Sequence, residues 1–147
     1  MADKLLVNLV KANSHTGIVG GFQHSEWNKW RRENGFFQTI NPHTFIDLSG
    51  ADLSDLSLND ADLHGTNFKR SKMYVSNLSG ATAYDANFSY TDLTRAHLTK
   101  ADLRGVDLSY ADLTSAHLDG ADISGANLTG ATLTGVDLSR TKGQPIQ

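Results

Sequence analysis

The chain has no cysteine and only two prolines in 147 residues, and its only glutamates are Glu26 and Glu33. Without cysteine there is no disulfide framework, no thiolate nucleophile and no cysteine-based zinc site, and a reducing compartment is compatible. A cytoplasmic protein is the expectation. Long apolar runs are missing too. The start, Met1 to Val10, holds one short apolar stretch broken by Asn8 and followed by Lys11, with no cleavage-site pattern, and nothing in the chain is long enough to span a bilayer. There is also no Gly-rich phosphate loop and no Ser/His/Asp set in a distinct context. Catalysis is therefore not expected, nor a cofactor, nor a resident metal.

What is present is a period of five. From Leu48 to Leu138 every fifth residue is apolar, through Leu53, Phe68, Met73, Phe88, Leu103 and Ile123, with Ala83 the one small member. Two residues before each comes a second inward candidate, most often alanine (Ala51, Ala61, Ala81), with Ile46, Leu56, Val106 and Val136 as bulkier versions. Asp or Asn most often stands between the two, as in Ala51-Asp52-Leu53. A helix needs apolar residues about every 3.6 positions and a flat strand every 2, so neither fits. A repeating bend does fit: each five-residue unit makes one side of a coil and turns a corner. Such units cannot bury an apolar face alone and must stack.

A longer repeat overlies the short one. Tyr90 to Gly105 aligns with Tyr110 to Gly125, with ten of sixteen positions identical, so equivalent residues recur every twenty, or four units. This A-(D/N)-L-x-x pattern resembles the signature of the pentapeptide repeat family, over residues 46–140. The resemblance implies an all-β solenoid, a right-handed quadrilateral β-helix with the central Leu or Phe and the preceding Ala pointing inward. Nearly five coils at roughly 4.8 Å per layer give a rod of about 23 Å. Leu48, Phe68, Phe88, Leu108 and Leu128 then form one interior column, in which Phe68 and Phe88 stack. Ala83 makes room for a ring larger than leucine. The pattern is weakest between Lys69 and Tyr84, and local irregularity is expected there.

Residues 1–45 lack the repeat and are read as a helical cap or leader, 46–140 as the β-helix and 141–147 as a tail. Leu5, Leu6, Leu9 and Val10 have helical spacing within residues 3–13. A second helix is expected from Ser25, a good N-cap, to the stop signal Asn34-Gly35, with Trp27 and Trp30 on one face. Plugging the open end of the first coil is the plainest role for this segment, since an unpaired strand edge invites aggregation. Trp27 and Trp30 also offer a docking or dimer surface. The Trp-Asn-Lys-Trp-Arg element resembles the leader of cyanobacterial pentapeptide repeat proteins.

Charge is uneven. Residues 46–140 hold 13 Asp, no Glu and 7 Lys or Arg, net −6, whereas residues 1–45 are net +2. An acidic rod disfavours direct nucleic acid binding. The twenty-residue spacing aligns His97 with His117, between Asn77 and Asp137. Such parallel layers suit a surface ladder better than a convergent tetrahedral metal site. The same spacing aligns Arg70, Tyr90 and Tyr110 as a cation–π column, with Lys69, Arg70 and Lys72 the rod's basic cluster. Paired aspartates such as Asp92/Asp112 and Asp102/Asp122 follow from the repeat itself, and Asp suits turns by bonding nearby backbone groups.

The reading is a non-catalytic protein–protein interaction or scaffold module with an unidentified protein partner and no membrane association. Its candidate interaction surface is Trp27, Trp30, Arg70, Tyr90, Tyr110, His97 and His117. Homodimerisation through an end of the rod or through the N-terminal helices is compatible with it. The alternative, implied by the family resemblance, is an acidic DNA-mimicking rod that binds a DNA-binding protein such as DNA gyrase.

Overall fold

A computed structural model describes residues 46–146. The expected leader helices, with Trp27 and Trp30, lie outside the described residues. From Ile46 onward the chain winds as a four-sided solenoid. Residues 46–65, 66–85, 86–105, 106–125 and 126–146 form coils 1 to 5. Within each coil, successive five-residue units form the first, second, third and fourth faces.

Parallel bridges join residue i to residue i+20 on all four faces: Asp47 to Asn67, Asp52 to Lys72, Ser57 to Asn77 and Asp62 to Thr82 in the lowest pair of coils. Each bridge is made by backbone bonds in both directions between coils. The Leu48 amide donates to the Asn67 carbonyl at 2.8 Å, and the Asn67 amide donates to the Ile46 carbonyl at 2.8 Å. Layer bonds thereby satisfy the backbone that a buried core requires to be paired.

Each corner is a tight turn. The Ala51 amide donates to the Leu48 carbonyl at 3.1 Å, and the same bond recurs from Ala61 to Leu58 and from Ala81 to Leu78. Such turns need a left-handed residue third in the turn. Gly80 takes φ +69°, but Arg70, Val75, Tyr90, Arg95 and Tyr110 take φ between +57° and +60° at equivalent places. Asp and Asn brace the turns from one side. The Oδ1 atoms of Asp47, Asn67, Asp107 and Asp122 each accept the amide two residues on, at 3.0 to 3.1 Å. This bond accounts for the repeated aspartates as turn builders.

The interior is a continuous column of apolar side chains. Leu63, Phe68, Met73, Leu78, Leu93 and Leu113 have no exposed surface. Each fully buried side chain of this kind contributes roughly 1.5–3 kcal/mol. Phe68 and Phe88 stack as their spacing predicts, with centroids 4.8 Å apart and planes 12° from parallel. Ala83 is fully buried on the fourth face between Leu63 and Leu103 in register, in the stretch of chain that connects the two rings.

Coil 2 departs from expectation by being regular. Lys69 to Tyr84 keeps the twenty-residue register through Lys72, Asn77 and Thr82. Thr66, Ser71 and Ser76 replace alanine at the inward position and are fully or almost fully buried. A hydroxyl adds little volume, and Ser76 Oγ donates to the Met73 carbonyl at 2.7 Å, so one of these polar atoms is satisfied inside the turn.

The irregularity falls in coil 5. Asn127 bridges Ile146, nineteen residues on instead of twenty. Gly143 stands where the register calls for the next central apolar residue, and Ile146 beyond it takes the outward bridge position and is exposed. No bridge joins His117 to Asp137 among the described residues.

Candidate functional site

The corner between the first and second faces carries Gly50, Arg70, Tyr90, Tyr110 and Gly130 in register, one per coil. A left-handed corner residue projects its side chain away from the filled core, so bulky groups here reach solvent. Tyr90 and Tyr110 are 48% and 55% exposed, the most exposed tyrosines among the described residues. Their rings stack with centroids 4.9 Å apart and planes 13° from parallel. Beneath them the Arg70 guanidinium lies 5.6 Å from the Tyr90 centroid, and Lys69 Nζ lies 5.9 Å from the same ring. The structure thus brings together Arg70, Tyr90 and Tyr110 as their spacing predicts. Above them the Tyr110 ring lies over Gly130, which has no side chain to displace it.

The second face extends this surface. Tyr74 is exposed, and its hydroxyl accepts from Arg95 Nη1 at 3.4 Å. Lys72 stands in the bridge column between Asp52 and Asp92. Stacking and cation–π contacts hold these aromatic groups flat and ordered. Preordering of this kind lowers the entropy lost when a partner covers them.

His97 and His117 also stack, 5.0 Å apart with planes 14° from parallel, on the third face. Asn77 bridges His97 below, but Asp137 does not complete the column, and its carboxylate instead accepts the Ser139 amide at 2.8 Å. The Ser139 hydroxyl, and after it that amide bond, holds the Asp137 carboxyl below its ordinary value. Among the described residues no group of three or more His, Asp or Glu side chains converges to hold a metal ion.

Two further features escaped the sequence reading. His64 stacks on Tyr84 at 5.1 Å on the fourth face and pairs through Nδ1 with Asp62 Oδ1 at 2.6 Å. The twenty-residue register places these rings in one column and is the signal that finds the stack. Arg104 makes a bidentate pair with Asp102 at 2.7 Å, and its hydrogen bond holds the Asp102 carboxyl below the usual carboxylate range. A shallow open groove lies among Asp47, Gly65, Asn67, Asp85 and Asn87. It is not an enclosed pocket of the kind that buries a small ligand.

Coil by coil, charge is banded. Coil 1 carries Asp47, Asp52, Asp55, Asp60 and Asp62 without a base, net −5. Coil 2 has Lys69, Arg70 and Lys72 against Asp85, net +2. Coil 3 has Arg95, Lys100 and Arg104 against Asp92 and Asp102, net +1. Coil 4 carries Asp107, Asp112, Asp119 and Asp122 without a base, net −4, and coil 5 has Arg140 and Lys142 against Asp137, net +1.

Four-sided coils of five-residue units, with a filled core and side-chain ladders outside, define a β-solenoid over the described residues. The family model for pentapeptide repeats matches residues 46–82, 76–114 and 107–142. The chain belongs to the pentapeptide repeat family, whose members form right-handed β-helices. It is similar to a pentapeptide repeat protein, Rfr23, of the cyanobacterium Cyanothece 51142, at 32% identity and TM-score 0.61, over 62% of this chain and 63% of that one. A pentapeptide repeat protein of the cyanobacterium Nostoc PCC 7120 matches at 28% identity and TM-score 0.51, over 67% of this chain and 84% of that one. One from the Arabidopsis thaliana thylakoid lumen matches at 29% identity and TM-score 0.50, over 59% of this chain and 64% of that one. The match therefore spans less than two thirds of the Cyanothece and Arabidopsis proteins. No curated protein matches the sequence closely enough to lend it an activity.

Proposed function

We propose that the chain is a non-catalytic protein-interaction rod whose contact surface is the Arg70–Tyr90–Tyr110 corner. The observation that carries this reading is the ordered, half-exposed tyrosine stack capped by a guanidinium. Tyr and Arg are the residue types that dominate binding energy at protein interfaces. A filled core, ladders outside and aspartates engaged in turns leave interaction as the work best suited to the fold. The proposal includes residues 1–45 as a helical cap and second docking element through Trp27 and Trp30. It also includes a cytoplasmic setting, on the cysteine-free composition. The His97/His117 stack is a secondary part of the surface.

The test is capture of a stoichiometric partner from native lysate by the full-length protein, by an Arg70→Ala/Tyr90→Ala/Tyr110→Ala variant and by a Trp27→Ala/Trp30→Ala variant. Loss in the first variant alone supports the corner. Loss in the second alone moves the function to the leader.

A second reading, mimicry of DNA toward a protein such as DNA gyrase, is favoured by the acidic coils 1 and 4. Magnitude weighs against it. Coils 2 and 3 together are net +3. Over the roughly 10 Å they span, duplex DNA would present about six negative charges. Inhibition of gyrase supercoiling by the purified protein would reverse this preference.

A further inference from the structure

We infer that the Arg70–Tyr90–Tyr110 corner pairs with the same corner of a second copy of this chain, side by side and antiparallel, about a two-fold axis through coil 3. The inference rests on the reading of this corner as a contact surface and names one partner for it. Its ground is self-complementarity along the rod. A two-fold axis lying in the contact plane and crossing the rods at coil 3 sets coil 2 against coil 4, and coil 1 against coil 5. On the first and second faces, which form this corner, coil 2 carries Lys69, Arg70 and Lys72 against Asp107 and Asp112 of coil 4, net +3 against −2, while the acids of coil 1 face uncharged residues of coil 5. Isologous pairing requires that each patch be complementary to its own rotated image, and the coil 2 and coil 4 charges on these faces meet that requirement.

The side-chain columns agree with the charge bands. In the corner column Tyr90 falls on the axis and faces the second copy's Tyr90, while Arg70 faces the second copy's Tyr110. Gly50 faces Gly130, over which the Tyr110 ring of the same copy lies. In the neighbouring bridge column, Lys72 faces Asp112 of the second copy. Each such contact occurs twice. Asp92 and Arg95 lie beside the axis, where like groups from the two copies come near each other. The Arg95 guanidinium is engaged by the Tyr74 hydroxyl, so the Asp92 pair is a cost to the contact and keeps the dimer weak.

Size sets the strength. One face is about 10 Å wide and 23 Å long, and surface relief roughly doubles that area. The result is below the ~800 Å² per partner of a standard stable interface. The dimer is therefore weak, concentration-dependent and salt-sensitive, because its charge pairs are exposed and screened within about 10 Å at 0.1 M salt.

The experiment is sedimentation analysis of the full-length protein from about 10 μM to 1 mM at low and high salt. It is run for wild type, Asp112→Lys, Lys72→Asp and the double variant Lys72→Asp/Asp112→Lys. Both positions are exposed; Asp112→Lys forfeits the turn bonds from the Thr114 amide and hydroxyl but relieves repulsion from Asp92, and Lys72 already fills the equivalent bridge position two coils below, so that variant keeps its fold. Its melting curve checks this. Asp112→Lys is expected to weaken self-association about tenfold or more, by turning two attractions into two repulsions, and the double variant to restore it. Three results each overturn the inference: no self-association at 1 mM, association indifferent to Asp112→Lys, or loss that the double variant does not restore. The contact-surface reading itself is judged separately, by lysate capture with the folded Asp112→Lys protein, which keeps Arg70, Tyr90 and Tyr110 intact.

Discussion

The ring of Tyr110 occupies the place that a side chain at Gly130 would need: a Cβ built on Gly130 would stand 2.7 Å from two carbons of that ring. Gly125 has the same φ of +68° and nothing within 4 Å of such a Cβ. Gly125→Ala therefore bears only the left-handed strain of about 1–2 kcal/mol. Gly130→Ala bears that strain and also drives Tyr110 off Tyr90, forfeiting a stack worth about 0.5–1.5 kcal/mol. Paired chemical denaturation should show the larger loss at Gly130, with a change in tyrosine near-ultraviolet dichroism at Gly130 alone.

Val75 holds φ +57°, a conformation that a β-branched residue adopts at real cost. Its amide still donates to the Thr94 carbonyl at 3.0 Å, so the layer bond holds it there. Val75→Gly removes strain of about 1–2 kcal/mol and adds about 0.5–1 kcal/mol of unfolded-chain entropy. A net gain of about 0.5–1 kcal/mol and a higher Tm are expected. A lower Tm in thermal denaturation would show that the half-buried Val75 methyl groups matter more than its backbone.

Ser71 and Ser76 occupy equivalent inward positions in successive units, and both are buried. Ser71 Oγ has no hydrogen-bond partner, whereas Ser76 Oγ bonds the Met73 carbonyl. The same substitution should then have opposite signs. Ser71→Ala relieves an unmet polar group and should stabilise by about 1 kcal/mol, while Ser76→Ala should cost about 0.5–1.5 kcal/mol. Equal effects in urea titrations would contradict the difference in their bonding.

Leu103 is 1% exposed and Asp102, beside it, points outward to Arg104. Leu103→Asp leaves an unpaired charge in a dry core and should prevent folding of the central coils. Asp102→Ala removes an ion pair whose Arg104 side chain is 57% exposed, so its loss should cost at most about 1 kcal/mol. Circular dichroism melts that ranked the two in reverse order would invert the inward assignment of the central residue.

Much of this architecture was legible because one side chain type recurs at one spacing. Leu48 to Leu138 fixed the inward column, and the twenty-residue echo of Tyr90–Gly105 in Tyr110–Gly125 fixed the register. From register alone came the stacks of Phe68 on Phe88, Tyr90 on Tyr110 and His97 on His117. Corner strain was not legible, because Arg70, Val75 and Tyr90 carry no glycine signal and are held left-handed by layer bonds that form only after stacking. Coil 2 looked weak because Ser71 and Ser76 broke the alanine pattern, yet volume and not polarity decides whether a unit fits. The slip in coil 5 follows Gln144, whose carbonyl still accepts in register from the Gly125 amide, and it leaves Ile146, one residue short, in the bridge place opposite Asn127. The charge bands sat in the sequence in plain view. They carry meaning only once the residues are sorted into coils.

The central claim is that the Tyr90 corner, and not another column, meets a protein partner. Its most direct test is photocrosslinking of full-length protein in native lysate, with a short crosslinking residue placed singly at Tyr90, at His97 or at Asp122, on three different sides of coils 3 and 4. The account predicts a discrete adduct from the Tyr90 position that Arg70→Ala/Tyr110→Ala suppresses, and little from Asp122. A partner captured equally from all three positions, or from Asp122 alone, would contradict it.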